Sequence, residues 1–220
     1  APRRRRNAFC GERRSKGTDW MPDARRAEWS GLCDDEGGTG LAGNDVELIT
    51  AELARRELAR RSYAEYLAYT NGRIWKRTRF GNYLADTVQD FIMRETGNAY
   101  DILVIESPPQ HGKSMHITEA LPSWCLGKFP EWRVILASYN DETAERFARR
   151  NKEKVRNHGN ALFGIEIGNI DRATEFELSG HMGRLISRGI LAGITGNPAN
   201  LLVINDPIKN RQEADSPTKR

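Results

Sequence analysis

Apolar residues recur at helical spacing in two segments of the first hundred residues. The first segment predicts an amphipathic helix from about Asn44 to Tyr69, in which Asn44 and Glu47 resemble a capping box. The second predicts a helix from about Asn82 to Glu95, with a glycine just past its end. The apolar positions that define the two periods are Leu48, Leu53, Leu58 and Tyr66, then Tyr83, Leu84, Val88, Phe91 and Ile92. We expect these helices to form a cap ahead of the core that follows.

From residue 99 onwards, short apolar runs alternate with helical segments. The runs that predict strands are Ile102–Ile105, Arg133–Ser138 and Leu201–Ile204, and a hairpin is predicted from Thr174–Leu178 and Arg184–Ser187. The predicted helices run from Gly112 to about Cys125 and from an Asn140 cap to His158 and Gly159. The first run, Ile102–Ile105, has the composition of a parallel strand covered on both faces. Because strands joined by crossover helices pair in parallel, we predict an α/β fold with a mainly parallel sheet flanked by helices.

The first 43 residues differ in composition from the rest, being rich in Arg, Gly and Asp without a sustained period. We interpret residues 1–43 as a poorly ordered arm, 44–98 as a helical lead-in and 99–220 as the core domain. The cluster Arg3–Arg6 is suited to contact DNA phosphate, and a solvated tail is the alternative. The net charge of +4 and the pI near 9.1 fit contact with a polyanion, although many soluble enzymes are as basic.

The three cysteines, Cys10, Cys33 and Cys125, are far apart and show no metal-ligand spacing, as expected for reduced thiols. No apolar run approaches the roughly 18 residues of a membrane span, and no signal-peptide core follows the arginine cluster. These features predict a soluble, non-secreted protein.

The strongest chemical signal is the segment Ser107–Ser114, between the first predicted strand and the helix after it. It ends in Gly-Lys-Ser like a phosphate-binding loop, but it begins with serine where the standard pattern has glycine. The residues predicted to bind a nucleotide are Pro108, Pro109, Gln110, His111, Gly112, Lys113 and Ser114. In this loop Gly112 allows backbone amides to approach phosphate, and Lys113 reaches the β and γ phosphates. The Ser114 hydroxyl ligates Mg²⁺, and His111 shapes the loop.

A second candidate site follows the last predicted strand. A phosphate-loop ATPase needs an acid at the end of a neighbouring strand, and here that position offers Asn205 and Asp206. An amide ligates Mg²⁺ weakly and cannot accept a proton. Two assignments stay open: Asp206 serves the metal while Glu213 or a later residue is the base, or Asp206 is the catalytic carboxylate and Asn205 a weak metal ligand. A simple strand-ending turn is the third interpretation.

These residues resemble the large terminase subunits of tailed phages. Residues 108–114 are similar to that family's atypical Walker A loop, and residues 202–210 to its Walker B segment. Between them, residues 137–150 and the glycine-rich residues 193–196 also resemble the family, and the likeness extends from about Asn44 to Arg220. Two positions depart from its pattern. Asn205 stands where the family commonly has Asp, which affects the expected rate of hydrolysis, and Gln110 often corresponds to arginine.

The resemblance implies a P-loop NTPase of the ASCE type, with ATP and Mg²⁺ as cofactors. It implies a motor that moves double-stranded DNA into a procapsid in the host cytoplasm, as a homo-oligomeric ring on the portal protein with a small terminase subunit as partner. The resemblance also implies that Lys113 and Asp206 are the catalytic residues. The metal ligands it implies are Ser114, Asn205 and Asp206. A neighbour's arginine would stabilise the transition state, with Arg184, Arg188 and Arg211 as candidates. The family's nuclease domain would follow Arg220, so we expect no DNA cleavage by this chain.

Two other functions fit the same residues. A helicase-like DNA translocase would use the same loop and carboxylate, and Asn205 favours a nucleotide-binding scaffold with weak hydrolysis. Phe80 or Tyr83 is able to stack on adenine, with packing in a buried core as the alternative for both side chains.

Overall fold

The computed structural model describes residues 43–190 and 196–207, with side chains from Asp45 onwards. The chain divides into two compact units at Leu48, and the elements below belong almost wholly to the second unit. The helices are α1 (Gly43–Arg61), α2 (Tyr63–Asn71), α3 (Arg79–Met93), α4 (Lys113–Ile117), α5 (Leu121–Lys128), α6 (Asp141–Lys154) and α7 (Asn160–Phe163). The strands are β1 (Arg133–Ser138), β2 (Ile167–Asp171), β3 (Glu175–Leu178), β4 (Arg184–Gly189) and β5 (Leu201–Asn205). The predicted arm lies outside the described residues except for Gly43, with which α1 begins.

Within the described ranges one five-stranded sheet has the order β2-β3-β4-β1-β5. Strand β1 lies parallel to β4 on one side and to β5 on the other, with Leu136 opposite Ser187 and Val203. Strand β3 pairs antiparallel with β2 on one side and with β4 on the other. The α/β class is confirmed, but the sheet is mixed rather than mainly parallel, because the confirmed hairpin β3–β4 adds antiparallel pairs and carries β2 beyond it. The ASCE arrangement stays a prediction.

The predicted strand at Ile102–Ile105 is wrong for the described structure. The segment has no regular secondary structure and pairs with no described strand. Ile102 and Val104 are 74% and 73% exposed, whereas Leu103 and Ile105 pack against a hydrophobic core. One face is therefore covered and the other is open. Contrary to the prediction, no strand of this sheet directly precedes the phosphate loop.

The two helices predicted before the loop are present with different bounds. The first is interrupted at Ser62, whose hydroxyl accepts a hydrogen bond from the Glu65 amide and caps α2. The second begins three residues early, because Thr78 Oγ1 accepts from the Gly81 amide at 2.9 Å and caps α3. In both cases a hydroxyl satisfies an orphan amide of the first turn.

The two helices predicted after the loop also differ. The first is divided into α4 and α5, since Pro122 in the first turn of α5 lacks the amide that a continuous helix would need. The second begins at the predicted Asn140 cap, whose Oδ1 accepts from the Thr143 amide at 2.9 Å. It does not end at Gly159. A π-helical turn, Val155–Gly159, connects α6 to α7, and Gly164 ends the helix in a left-handed conformation with φ 71°.

Strand β2 was not predicted from the sequence. Its residues Ile-Gly-Asn-Ile-Asp lack a clear alternation, and the structure leaves most of them partly exposed. The strand forms because β3 offers a pairing edge, and the Glu177 carboxylate accepts from the Ile170 amide at 3.1 Å.

The main core lies between the lead-in helices and the helices that follow the loop. Tyr63 and Trp124 pack there with ring centroids 5.1 Å apart, and Tyr66 donates to Ser123 Oγ at 2.8 Å. The buried Asn151 side chain joins α6 to this core by donating to the Thr118 carbonyl at 2.7 Å and accepting from the Ser123 amide. The core thus fixes α4, the helix after the loop, against α2 and α3. In the described part of the chain, no helix combines the length and the apolar character that crossing a bilayer requires.

Candidate nucleotide site

The loop before α4 has an unusual backbone at two positions. Gly112 has φ 79° and occupies the cap position of α4, where the missing Cβ removes the penalty of the left-handed region. Gln110 has φ 63°, which is costly for a residue with a side chain. His111 Nδ1 lies 2.9 Å from the Pro109 carbonyl, so His111 contacts the loop's own backbone. The loop bends sharply between Pro109 and Lys113.

The structure brings Lys113 and Asp206 together, although 93 residues separate them in sequence. Lys113 Nζ donates to Asp206 Oδ1 at 3.0 Å. The side chains are 31% and 57% exposed, so water reaches both groups. Asp206 has φ 42°, and it follows directly on β5. Among the described non-glycine residues, only Gln110 and Asp206 have positive φ, and both belong to this site.

Asn205 and Ser114 occupy less open positions. Asn205 is 7% exposed, and its Nδ2 lies 3.4 Å from Asp206 Oδ2. In the sheet it stands opposite Ser138, whose buried Oγ has no hydrogen-bond partner in the described residues. Ser114 follows Lys113 in the first turn of α4 and is half-buried. Asp206 is therefore the carboxylate that a ligand in solution reaches, while Asn205 faces the protein.

A buried histidine, His116, holds the loop in place through its ring. Its role was not predicted from the sequence. His116 Nδ1 lies 2.8 Å from the Gly112 carbonyl, and Trp75 Nε1 donates to His116 Nε2 at 3.1 Å. The Tyr63 hydroxyl donates to the His116 carbonyl. Burial lowers the pKa of His116, which favours the neutral ring with its proton on Nδ1, the tautomer that satisfies both contacts.

The contact between the His116 ring and the Gly112 carbonyl has a local signal in the sequence, because the two residues are four positions apart, about one helical turn. The contact of His116 with Trp75 has no local signal, because 41 residues separate the two side chains in sequence. The lead-in segment and the phosphate loop are therefore held together by a buried hydrogen bond between two rings.

The two aromatic candidates for adenine stacking lie on α3. Phe80 is 37% exposed, and its ring meets His111 edge-on with centroids 6.0 Å apart. Tyr83 is 71% exposed, so neither side chain is buried in a core. Only Phe80 has a ring contact with the loop.

The candidate arginines are held by carboxylates of the hairpin. Arg184 Nη1 lies 3.5 Å from Glu175 Oε1, and Arg188 Nη2 lies 3.7 Å from Glu175 Oε2. Both side chains thus have partners within the same chain. Arg211 and Glu213, the other arginine and the possible base, lie outside the described residues.

Comparison with known proteins adds one match. Residues 104–219, more than half of the chain, match the family model described as terminase large subunit, T4likevirus-type, N-terminal. The match begins just before the loop and includes both Lys113 and Asp206. No curated protein and no solved structure matches the chain.

Proposed function

Because the chain belongs to the family of T4-like virus-type terminase large subunits and matches its N-terminal part, we propose that it is the ATP-hydrolysing part of a DNA-packaging motor. The observation that carries this proposal is the 3.0 Å contact between Lys113 and Asp206. A lysine from a phosphate loop and a carboxylate from a strand end are the pair that such ATPases use around a metal-bound triphosphate.

The charges at the site fit a nucleotide. The Lys113 ammonium is partly neutralised by Asp206, and both groups are accessible to water. A triphosphate offers Lys113 more negative charge than one carboxylate does, so binding would move the lysine to the β and γ phosphates and release Asp206. The bend at Gly112 would leave backbone amides of the loop open to phosphate oxygens.

The oxygen groups at the same place fit Mg²⁺, a hard cation that prefers carboxylate, hydroxyl and water ligands. Asp206 would hold the ion and the Ser114 hydroxyl would complete the protein's share, while the ion would neutralise charge on the phosphates. Asn205 is a poor ligand because it is only 7% exposed. We therefore assign the accessible carboxylate, Asp206, to the metal.

Phosphate release and binding of a non-hydrolysable ATP analogue test the proposal. Lys113→Ala should abolish both signals, since the loop loses its phosphate contact. Asp206→Asn should keep measurable analogue binding and lose release by a factor of about 100 or more, the scale of removing one electrostatic stabiliser. Lys128→Ala and Asp86→Asn are matched controls at half-buried and exposed positions with no role in the site, and both should behave as the natural chain. Normal release by Lys113→Ala would contradict the proposal.

Asn205 supports a second candidate, a nucleotide-binding scaffold with weak hydrolysis, because an amide cannot take a proton. Asn205→Asp separates the two functions. A motor site predicts that the rate of phosphate release changes with this substitution and falls to background with Lys113→Ala. A scaffold predicts near-background phosphate release by the natural chain and by both variants.

The remaining parts of the proposal concern the assembly. We propose that the chain translocates double-stranded DNA in the host cytoplasm, as a ring on the portal with a small terminase subunit. A packaging assay with purified procapsids, portal and the complete motor tests this role. DNA protected from nuclease in an ATP-dependent manner is the expected result, and it should be absent with Lys113→Ala.

A further inference from the structure

The turn between α2 and α3 concentrates positive charge. We call residues 72–79, Gly-Arg-Ile-Trp-Lys-Arg-Thr-Arg, the basic turn. It contains four cations and no carboxylate, and every residue in it except Trp75 is exposed.

Three of these cations have no carboxylate partner among the residues that the structure describes. Elsewhere in the described ranges most Lys and Arg side chains form ion pairs, as Arg61 does with Glu57 at 2.7 Å and Lys152 with Asp171 at 2.9 Å. In the basic turn only Arg77 does so, with Glu65. The cations of the basic turn without an ion pair in the described structure are Arg73, Lys76 and Arg79. The turn therefore carries uncompensated charge, which attracts anions.

The basic turn is held in a defined conformation. Trp75 is 7% exposed and donates to His116, which anchors the middle of the turn. At the start of the turn, Gly72 has φ 54° and its amide donates a hydrogen bond to the Ala68 carbonyl. At the end of the turn, the Thr78 side chain caps α3. Because the backbone is already ordered, binding an anion would not require the entropy cost of ordering a flexible loop.

We propose that the basic turn is a contact site for the phosphate backbone of double-stranded DNA. The proposal extends the function proposed above and rests on it for the choice of polyanion. Three exposed cations spaced three residues apart suit a ligand with repeated charges, and Arg and Lys bind phosphate without reading base sequence. The same Trp75 that anchors the turn contacts His116, which binds the loop at Gly112, so a DNA strand on this surface would lie close to the nucleotide site.

Binding of a fluorescent 30-base-pair duplex, measured by anisotropy over a range of NaCl concentrations without nucleotide, tests the proposal. The variant is the full chain with Arg73→Ala, Lys76→Ala and Arg79→Ala. The control removes three exposed cations that also lack an ion pair in the described structure: Arg133→Ala, Arg146→Ala and Arg172→Ala. Both triple variants lose the same net charge, and thermal unfolding establishes that both are folded.

Each phosphate contact contributes about 0.9 to the slope of log affinity against log salt. We expect the turn variant to lower that slope by roughly 2 to 3, and the control to change it by less than about 1. An equal loss in both variants would mean that net charge alone binds DNA, and an unchanged slope would mean that the turn does not contact it. Either result overturns the proposal.

Two further measurements exclude other ligands. The turn variant should bind the ATP analogue with unchanged affinity, and weaker analogue binding with an unchanged DNA slope would assign the turn to the nucleotide instead. Poly-glutamate should compete poorly with the duplex at equal charge. If the turn variant loses more affinity for poly-glutamate than for the duplex, the partner of the basic turn is an acidic protein and the proposal is wrong. Failure of the ATPase proposal would appear as normal release by Lys113→Ala and would leave these DNA measurements unaffected.

Discussion

The hydrogen bond between Trp75 and His116 provides the sharpest test of how the loop is held. Both side chains are nearly buried, at 7% and 4% exposure, and the Nε1–Nε2 distance is 3.1 Å. Trp75→Phe keeps an aromatic ring in the core and removes the only side-chain donor to His116 Nε2 in the described structure. The imidazole then has a buried acceptor that neither protein nor bulk water satisfies.

The expected cost has two parts. An unsatisfied buried acceptor costs about 1–3 kcal/mol, and the smaller ring adds roughly 1 kcal/mol for lost packing. His116→Leu has a similar cost, because it leaves the indole N–H of Trp75 without an acceptor. The double variant contains neither orphan group, so its loss of unfolding free energy should be smaller than the sum of the single losses by about 1–3 kcal/mol.

Urea unfolding of the natural chain, the two single variants and the double variant measures this coupling. Trp132→Phe is the control, since Trp132 stacks on Phe129 with centroids 4.1 Å apart and its indole has no acceptor in the described residues. It should show the packing loss alone. If the single losses add to the double loss within about 0.5 kcal/mol, the hydrogen bond between Trp75 and His116 does not contribute to stability, contrary to this prediction.

Three other predictions concern pH, packing and the corrected strand. Burial lowers the pKa of His116 below its ordinary value of 6.5, so the unfolded chain binds more protons than the folded chain as the pH falls through that value. The urea midpoint should therefore fall as the pH drops from 7 to 5, and this dependence on pH should be weaker in His116→Leu. Gly127→Ala should cost about 1–3 kcal/mol of unfolding free energy, because its Cβ would lie 2.3 Å from the Phe163 ring, and normal stability would contradict this packing. In hydrogen exchange, amides of residues 102–105 should exchange far faster than those of residues 134–137, which lie in a strand paired on both sides; equal protection would mean that the first segment is a paired strand.

The elements that the sequence predicted correctly carry their own local signals. Strand β1 is a continuous apolar run because both its faces and both its edges are covered. Helix α6 has an asparagine cap at its start and an apolar face that includes Ala144 and Phe147. The hairpin β3–β4 has glycines in its turn, one of them with φ 73° at Gly180. Each of these features depends on residues that are close together in sequence.

The elements that were missed depend on distant partners. Ile102–Ile105 has the composition of a strand, but pairing requires a free edge beside it, and local sequence does not say where the free edges are. Strand β2 is the reverse case, since a weak sequence is made regular by the edge that β3 provides. The prediction of a mainly parallel sheet failed for the same reason.

The candidate site shows the same division. Lys113 and Asp206 were selected from two short motifs, and the fold brings their side chains to 3.0 Å. Trp75 and His116 were not selected, because each has an ordinary residue type for a core position, and only the tertiary packing joins them. Sequence therefore identified the groups that face solvent and missed the ones that hold them.

The geometry around Lys113 and Asp206 is better explained by chemistry than by stability. An ion pair as exposed as this one stabilises a fold by no more than about 1 kcal/mol. The positive φ values of Gln110 and Asp206 each cost on the order of 1 kcal/mol. The pair therefore does not offset the strain of the backbone that presents it. Stability alone gives no reason for both strained residues to lie at this site, whereas binding a phosphate ligand between a lysine and an accessible carboxylate does.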